Sequence, residues 1–467
     1  MKTKLILALA AVLAIGACSP EIDSTVPAKV VDGIIVTETP DREPGQESVL
    51  QLVCEPIETV RIGFVGMGGR GNSALKRYFH MDNIEIAALC DLEADRVAQS
   101  NAMVQAAGFP AAKEYAGEDA YKQMCADPDI DLVYITTDWK PHTTIAVCAM
   151  ENGKHAAIEV PAAMNLAECW ALVNTAEKTR RHCMMLENCV YDFFESSCLN
   201  MAQQGLFGEI YYAEGAYIHN LNPYWKEYNK GWRLDYNYRH RGDNYPTHGL
   251  GPVCQAMNIH RGDRMKTLIA MDTRSYHGLE VAKELMGVDT FANGEHTSTL
   301  IRTEKEKMIN IQHNVYASRP YSRLYQLLGT EGLAEKYPLP GFLALEADVL
   351  KEKAGIDVPG LEAEKYVSEE LRDQLLKDFR PAIIKEIEEK ARKVGGHGGM
   401  DYIMDYRMIY CIRNGLPLDM DVYDAAEWSC LTELSRLALD YQLPVAVPDF
   451  TRGDWNKIDG FRYAVKE

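Results

Sequence analysis

Three glycines and one acid define the first place in this sequence where chemistry can happen. Gly66, Gly68 and Gly71 stand in G-x-G-x-x-G spacing within VRIGFVGMGGRGNSALKRYFHMDNIEIAALCD (residues 60–91), and Asp91 lies twenty residues beyond the last glycine. The segment reads as apolar strand, tight turn, helix, and second strand ending in the acid. In such a unit the first glycine permits the turn, the second lets backbone approach a pyrophosphate, and the third lets the helix sit close on the sheet. The free N–H groups at the helix start, where the dipole is positive, would receive the pyrophosphate. The carboxylate of Asp91 is placed to accept both ribose hydroxyls of NAD and to repel the 2′-phosphate of NADP. The expected cofactor is therefore NAD.

Four further segments gather polar and aromatic residues beside glycine or proline. TTDWKPHT carries Trp139, Lys140 and His142 just past a strand end; it either meets the cofactor or is a solvent loop whose Trp139 packs locally. Glu159-Val160-Pro161 again follows a strand directly. The densest segment runs from Asn220 to Pro252 and holds Trp225, Trp232, Arg233 and the run GDNYPTHGLGP, with Asp243, Tyr245 and His248. A histidine titrates nearest neutrality and suits proton transfer; His248 reads as that acid/base or as a structural histidine, with Tyr245 three residues upstream. The fourth place is the pair RPYSR (319–323) and GGHGGMD (395–401), with Tyr321 and His397. His397 either lines the sugar side of a crevice or simply ends a helical insertion.

The elements that must hold these residues follow from hydrophobic periodicity. Strands are expected at 60–66, 84–90, 131–136, 155–160 and 182–186, and helices at 71–81, 93–107, 118–126, 141–152 and 166–179. Continuous apolar strands alternating with helices indicate a doubly wound parallel sheet, an α/β Rossmann domain over 59–187. Longer strands rich in β-branched and aromatic residues at 211–220, 266–273, 298–304 and 308–317 indicate a second, α+β domain over 188–467 with a largely antiparallel open sheet. A charged helical insertion is expected at 333–396 and a final amphipathic helix at 421–439, packed on the second sheet.

The 467 residues carry 49 basic and 68 acidic side chains, a net charge of −19, which argues against nucleic acid or an anionic membrane surface as partner. Lys2 and Lys4 precede an apolar run, Leu5 to Ile15, too short to span a bilayer, which closes on Ile15-Gly16-Ala17-Cys18. Residues 1–18 thus resemble a bacterial lipoprotein signal, with Cys18 the lipidated residue; the alternative is an ordinary secretory signal. Residues 19–58, rich in Pro, Glu, Asp, Thr and Ser, read as a flexible tether. The chain is expected to be exported and held at a bacterial membrane, on its periplasmic face or at the cell surface, through lipid alone. The eleven cysteines beyond Cys18 are scattered without C-x-x-C pairs, and Cys90, Cys125, Cys148, Cys183, Cys189 and Cys254 sit in apolar runs and read as small buried hydrophobes; no disulfide framework and no metal site are expected.

The architecture and the tripeptide Glu159-Val160-Pro161 resemble the glucose–fructose oxidoreductase and inositol dehydrogenase superfamily, whose signature here is Glu-Lys-Pro with a catalytic lysine. This chain has Val160, which carries no proton. Segments across nearly the whole mature chain, including MGGRGNSALKRY, EVPAAM, GDNYPTHGLGPVCQ, RPYSRLYQLLGTEG and GGHGGMDYIMDYR, resemble glycoside hydrolase family 109, its NAD-dependent α-N-acetylgalactosaminidase branch. The resemblance implies NAD contacts at Gly69, Arg70, Asp91, Trp139 to His142, Glu159, Val160 and Asn188. It implies sugar contacts at Tyr217, Arg233, Tyr245 to His248 and Tyr321, with Tyr325 close by in a loosely matched segment. It further implies release of terminal N-acetylgalactosamine from α-linked glycans by oxidation at C3, elimination across C2–C1, water addition and reduction. His248 would be the principal acid/base and Tyr245 its support. The other readings are an NAD-dependent sugar or cyclitol dehydrogenase and a non-catalytic glycan-binding protein. A homodimer built on the open sheet face is expected from the superfamily.

Overall fold

A computed structural model describes residues 22–228, 232–316 and 318–466. The expected signal peptide and Cys18 lie outside the described residues.

The first sheet is all parallel. Its strands β3 (Val60–Val65), β4 (Ile84–Asp91), β5 (Lys113–Ala116), β6 (Leu132–Ile135), β7 (His155–Ile158) and β8 (Cys183–Met185) run in the order β5-β4-β3-β6-β7-β8. Helices α1 (Gly69–Tyr78), α2 (Ala94–Ala106), α3 (Ala120–Ala126), α4 (His142–Glu151) and α5 (Leu166–Thr179) connect them. Strand order reverses between β3 and β6, and the crevice at that switch point lies beyond the carboxyl ends of the strands. Gly66 and Thr136, which follow those two strands, meet there: a Cβ on Gly66 would lie 2.7 Å from the Thr136 carbonyl carbon. The expected doubly wound domain is present, with β5 as an additional edge strand whose Lys113-Glu114 start hides it from an apolar scan.

The second sheet is mixed and mostly antiparallel, with ten strands in the order β1 (Ala28–Val31), β2 (Ile34–Thr37), β16 (Val445–Ala446), β10 (Met265–Asp272), β11 (Thr297–Thr303), β12 (Met308–Asn314), β9 (Ile210–Ile218), β13 (Ser322–Gly329), β14 (Gly332–Glu335) and β15 (Phe342–Leu345). β9 (Ile210–Ile218), β10 (Met265–Asp272), β11 (Thr297–Thr303) and β12 (Met308–Asn314) are the four expected strands. The tether expectation for 19–58 is corrected over its described part. β1 (Ala28–Val31) and β2 (Ile34–Thr37) form a hairpin on the sheet edge, beside β16 (Val445–Ala446). Ile35, Val49 and Leu52 are buried, and Arg42 pairs with Glu177 and Asp454. These few apolar side chains find a core in spite of the polar composition around them.

The insertion expected at 333–396 also begins differently. β13 (Ser322–Gly329), β14 (Gly332–Glu335) and β15 (Phe342–Leu345) extend the sheet before any long helix forms. The charged stretch then folds as α12 (Glu369–Asp378) and α13 (Ala382–Val394), split at Pro381, and α13 turns Ile383, Ile384, Ile387 and Ala391 inward. The remaining helices are α6 (Phe193–Gln203), α7 (Trp225–Tyr228), α8 (Trp232–Arg239), α9 (Thr247–Ala256), α10 (His277–Met286), the short α11 (Ala347–Val349), α14 (Met400–Asn414) and α15 (Val422–Tyr441). α15 packs on β10 as expected and on α5 as well, joining the two domains. Nine of the eleven described cysteines are buried, as expected of small hydrophobes.

Two glycines set the depth of the site. A Cβ on Gly215 of β9 would lie 2.1 Å from the Gly249 carbonyl oxygen, and one on Gly249 of α9 would lie 2.3 Å from the Ala216 nitrogen. Helix and strand therefore touch backbone to backbone, one residue from His248. Gly249→Ala is expected to cost about 1–3 kcal/mol by overpacking, read as a lowered midpoint in chemical denaturation. An unchanged midpoint would mean that the two backbones do not meet.

Candidate active site

His248 sits in the first turn of α9, and its partner comes from the other domain. Glu187 follows β8, so the chain delivers it to the carboxyl end of the parallel sheet. His248 Nδ1 lies 2.7 and 2.9 Å from the two Glu187 carboxylate oxygens. A carboxylate only accepts, so Nδ1 carries the proton and Nε2 keeps its lone pair. Glu187 is 0% exposed and also accepts the Cys189 N–H at 3.0 Å. Burial by itself would raise this acid, but the charge and hydrogen bond of His248 hold it below the ordinary carboxylate value. Glu187 was not among the expected site residues. Its place directly after a strand of the Rossmann sheet was the available signal.

Around His248 stands an aromatic wall. Tyr245 and Tyr217 lie with ring centroids 5.0 and 5.4 Å from the imidazole and 4.6 Å from each other. The Arg233 guanidinium stacks 4.9 Å from the Tyr245 ring centre and donates to the Tyr217 hydroxyl at 3.4 Å. Trp139 closes the wall at 5.7 Å from Tyr245 and 4.4 Å from Trp232. Burial pushes the Tyr245 phenol well above its usual range, so it remains a hydroxyl donor at neutral pH. Tyr321 is 5.1 Å from His219, whose Nδ1 meets the Tyr217 hydroxyl at 2.9 Å, so Tyr321 joins this wall. Tyr325 points elsewhere, toward Phe194 and the Glu195 carbonyl. All the expected sugar-side residues converge here, together with His219, which sequence reasoning missed.

The glycine turn faces the same crevice from the Rossmann side. A Cβ on Gly71 would lie 2.0 Å from the Gly66 carbonyl oxygen, whereas Cβ atoms on Gly68 and Gly69 would meet nothing within 4 Å. Gly66 and Gly71 are thus required by packing, and Gly68 and Gly69 leave an open cradle. No side chain caps α1 and no acid occupies its first turn, so its leading N–H groups are free for an anion. Asp91 accepts the Met67 N–H at 2.7 Å and the Glu93 N–H at 3.0 Å, fixing the turn while keeping acceptor capacity for hydroxyls. These features fit a dinucleotide.

Arg70, Glu159 and Asn188 form a polar floor. Arg70 pairs with Glu159 at 2.5 Å and with Asp401, at the start of α14, at 2.9 Å; Asn188 donates to Asp401 at 2.5 Å. Val160 is buried beside them. The His142 ring is spent on backbone instead of facing a ligand: its nitrogens lie 2.9 Å from the Pro161 carbonyl and 3.2 Å from that of Thr137, clasping two loops together. Lys140 is exposed and, with Trp139, Trp232 and Glu168, lines a separate pocket of about 840 Å³ whose walls include neither the glycine turn nor His248.

If the Glu187 carboxylate orients and charges His248, Glu187→Gln should lower kcat on the order of 10²–10⁴-fold with a much smaller change in KM. Because the folded-state pKa of Glu187 lies below its ordinary value of 4.5, its stabilisation is present above that value and is lost as pH falls through the lowered one. The stability difference between wild type and Glu187→Gln should accordingly shrink on acidification below pH 4.5, as denaturation at a series of pH values would record.

Comparison with known proteins matches both halves of this architecture. Residues 60–187 match an oxidoreductase family with an NAD-binding Rossmann fold, and residues 192–457 match the glycosyl hydrolase 109 C-terminal domain. Glycosyl hydrolase family 109 protein 1 of Bacteroides thetaiotaomicron is 56% identical over 440 residues, covering 93% of each chain. The family 109 protein of Porphyromonas gingivalis is 56% identical over 437 residues, again 93% of each. Among solved structures, levoglucosan dehydrogenase in complex with NADH and L-sorbose shares the fold with a TM-score of 0.62 at 15% identity, covering 84% of this chain and 100% of that one. A probable dehydrogenase from Thermotoga maritima shares it with a TM-score of 0.58 at 16% identity, covering 83% and 99%. With a Rossmann half, a matching C-terminal half and relatives of this similarity along almost its whole length, the chain belongs to glycosyl hydrolase family 109.

Proposed function

We propose that this enzyme releases terminal N-acetylgalactosamine from α-linked glycans, with NAD retained in the crevice throughout turnover. The observation that carries this reading is the Glu187–His248 pair, a carboxylate-oriented base opposite an open glycine cradle, in a chain with valine where a dehydrogenase would place its lysine.

Gly68, Gly69 and the start of α1 would hold the pyrophosphate, Asp91 the adenosine ribose, and Arg70, Glu159 and Asn188 the region near the nicotinamide. Bound there, NAD would supply a hydride acceptor for sugar C3 and return the hydride at the end of the cycle. With C3 at the ketone level, the proton on C2 becomes acidic enough for an imidazole. His248 Nε2 is the base for that proton, and Glu187 stabilises the imidazolium that results. Tyr245 donates its hydroxyl toward the departing or entering oxygen at C1. Arg233, Tyr217 and Tyr321 hold the sugar hydroxyls against the aromatic wall. Elimination avoids an oxocarbenium ion, so the carboxylate pair of ordinary glycosidases is not needed.

The aryl α-N-acetylgalactosaminide, incubated in D2O without added NAD, tests this reading. Aglycone release with deuterium at C2 of the product is expected. Release without C2 exchange would contradict elimination, and accumulation of NADH when NAD is added would favour the sugar or cyclitol dehydrogenase.

We further propose export and lipid anchoring through Cys18, which fits scavenging from glycans outside the cytoplasm. Cys18→Ser expressed in a bacterium should move the protein from the detergent-extractable membrane pellet to the soluble fraction. A homodimer is supported by the outer sheet face, where Ile269, Leu300, Met308 and Met271 are exposed, the last at 78%. Charged substitution of Ile269 and Met271 should shift the sedimentation velocity to that of a monomer.

A further inference from the structure

Residues 395–399 read GGHGG, and all five have positive φ: 86, 82, 46, 77 and 116°. Glycine enters this region freely, but a histidine resists it. Strain kept at one non-glycine residue needs a reason in what its side chain does. The His397 side chain is 59% exposed, with Nδ1 3.0 and 3.1 Å from the Asp401 carboxylate oxygens and 3.4 Å from Asn188 Nδ2. Asp401 is buried and further held by Arg70 and Asn188. Burial would raise this carboxyl, but the hydrogen bond from His397 and the charges of Arg70 and Arg77 keep it far below its usual range. It is thus an acceptor, the His397 proton sits on Nδ1, and Nε2 is presented with its lone pair.

This arrangement repeats the one at His248. Glu187 and Asn188 are neighbours in the chain: the first holds His248, and the second helps hold the carboxylate that orients His397. The two rings are brought together by these neighbouring residues, with Asn188 Nδ2 3.4 Å from His397 Nδ1 and Glu187 Oε1 2.7 Å from His248 Nδ1. The two dyads differ in their company, since His248 stands in the aromatic wall while the Asp401 that holds His397 also holds Arg70 of the glycine turn, which in turn pairs with Glu159. The chain lacks a proton carrier at Val160, the next residue along.

We propose that His397 is the second proton carrier of the reaction, serving the 3-hydroxyl while His248 serves C2. The inference rests on the oxidation–elimination reading above. In the oxidative step the O–H proton of C3 passes to His397 Nε2 as the C3 hydride leaves to the nicotinamide oxidant, and the C–O bond becomes C=O. In the closing step the hydride returns to C3 and His397 gives its proton back to O3, so protons and electrons balance over the cycle.

The variant His397→Asn tests this, because asparagine tolerates positive φ yet cannot take up or release a proton near neutral pH. Two steps are read separately: growth of 340 nm absorbance in the enzyme mixed with substrate, and C2 deuterium uptake from a methyl 3-keto-α-N-acetylgalactosaminide in D2O. The expected result is at least a hundredfold slower 340 nm phase in His397→Asn, with C2 exchange from the ketone within about threefold of wild type; this retained exchange also shows that the variant is folded. His248→Asn should show the reverse. Equal loss of both steps in His397→Asn, or no loss of either, would overturn the assignment. Absence of C2 exchange in the wild type would instead overturn the elimination reading itself.

Discussion

The geometry of the site depends on one buried hydrogen-bonded pair, that of the Glu187 carboxylate with the His248 imidazole. A carboxylate taken fully out of water is costly unless its charge is answered, and removing one partner of such a pair leaves the other stranded. Glu187 is the last residue of the Rossmann half, and His248 belongs to a helix seated on the second sheet. The answering N–H donor therefore arrives only when the two halves are docked. Within the C-terminal half, the backbone contact between Gly215 and Gly249 fixes how deeply α9, and with it His248, sits on the second sheet, since neither position has room for a Cβ.

A second set of buried charges holds the cofactor side. Arg77 of α1 donates to Asp405 at 2.7 Å, and the Tyr134 hydroxyl of β6 donates to the same carboxylate at 2.8 Å. One turn earlier on α14, Asp401 gathers Arg70, Asn188 and His397. A helix of the C-terminal half is thus fastened to the first helix of the nucleotide fingerprint. Movement of the glycine turn cannot be independent of the loop that carries His397, which gives the fingerprint a mechanical link to the sugar side.

Much of this was readable from the residues. Gly66, Gly68, Gly71 and Asp91 mark the turn because close backbone approach demands glycine at fixed spacing, and continuous apolar strands mark the parallel sheet. Tyr245 and His248 stood out because proton-carrying side chains beside glycine and proline are rare in a packed core. Other features had no local signature. α14 is buried on nearly every side, so its sequence lacks the 3.6-residue alternation that identifies a surface helix. Glu187 and Asp401 are single acids whose importance lies wholly in what the fold brings to them. β1 and β2 were obscured by polar neighbours, because two short strands need only Ile35 and a few other apolar residues to join an existing sheet edge.

The central claim is that the nucleotide is a resident catalyst and not a consumed substrate. It is tested most directly by paired acid extraction for NAD and alkaline extraction for NADH, each quantified by chromatography, from the purified protein before and after many turnovers on an α-N-acetylgalactosaminide. The account predicts about one equivalent of NAD per chain after exhaustive dialysis, unchanged in amount and in oxidation state by turnover. Protein that hydrolyses its substrate while holding no nucleotide, or that converts its NAD stoichiometrically to NADH, would contradict it.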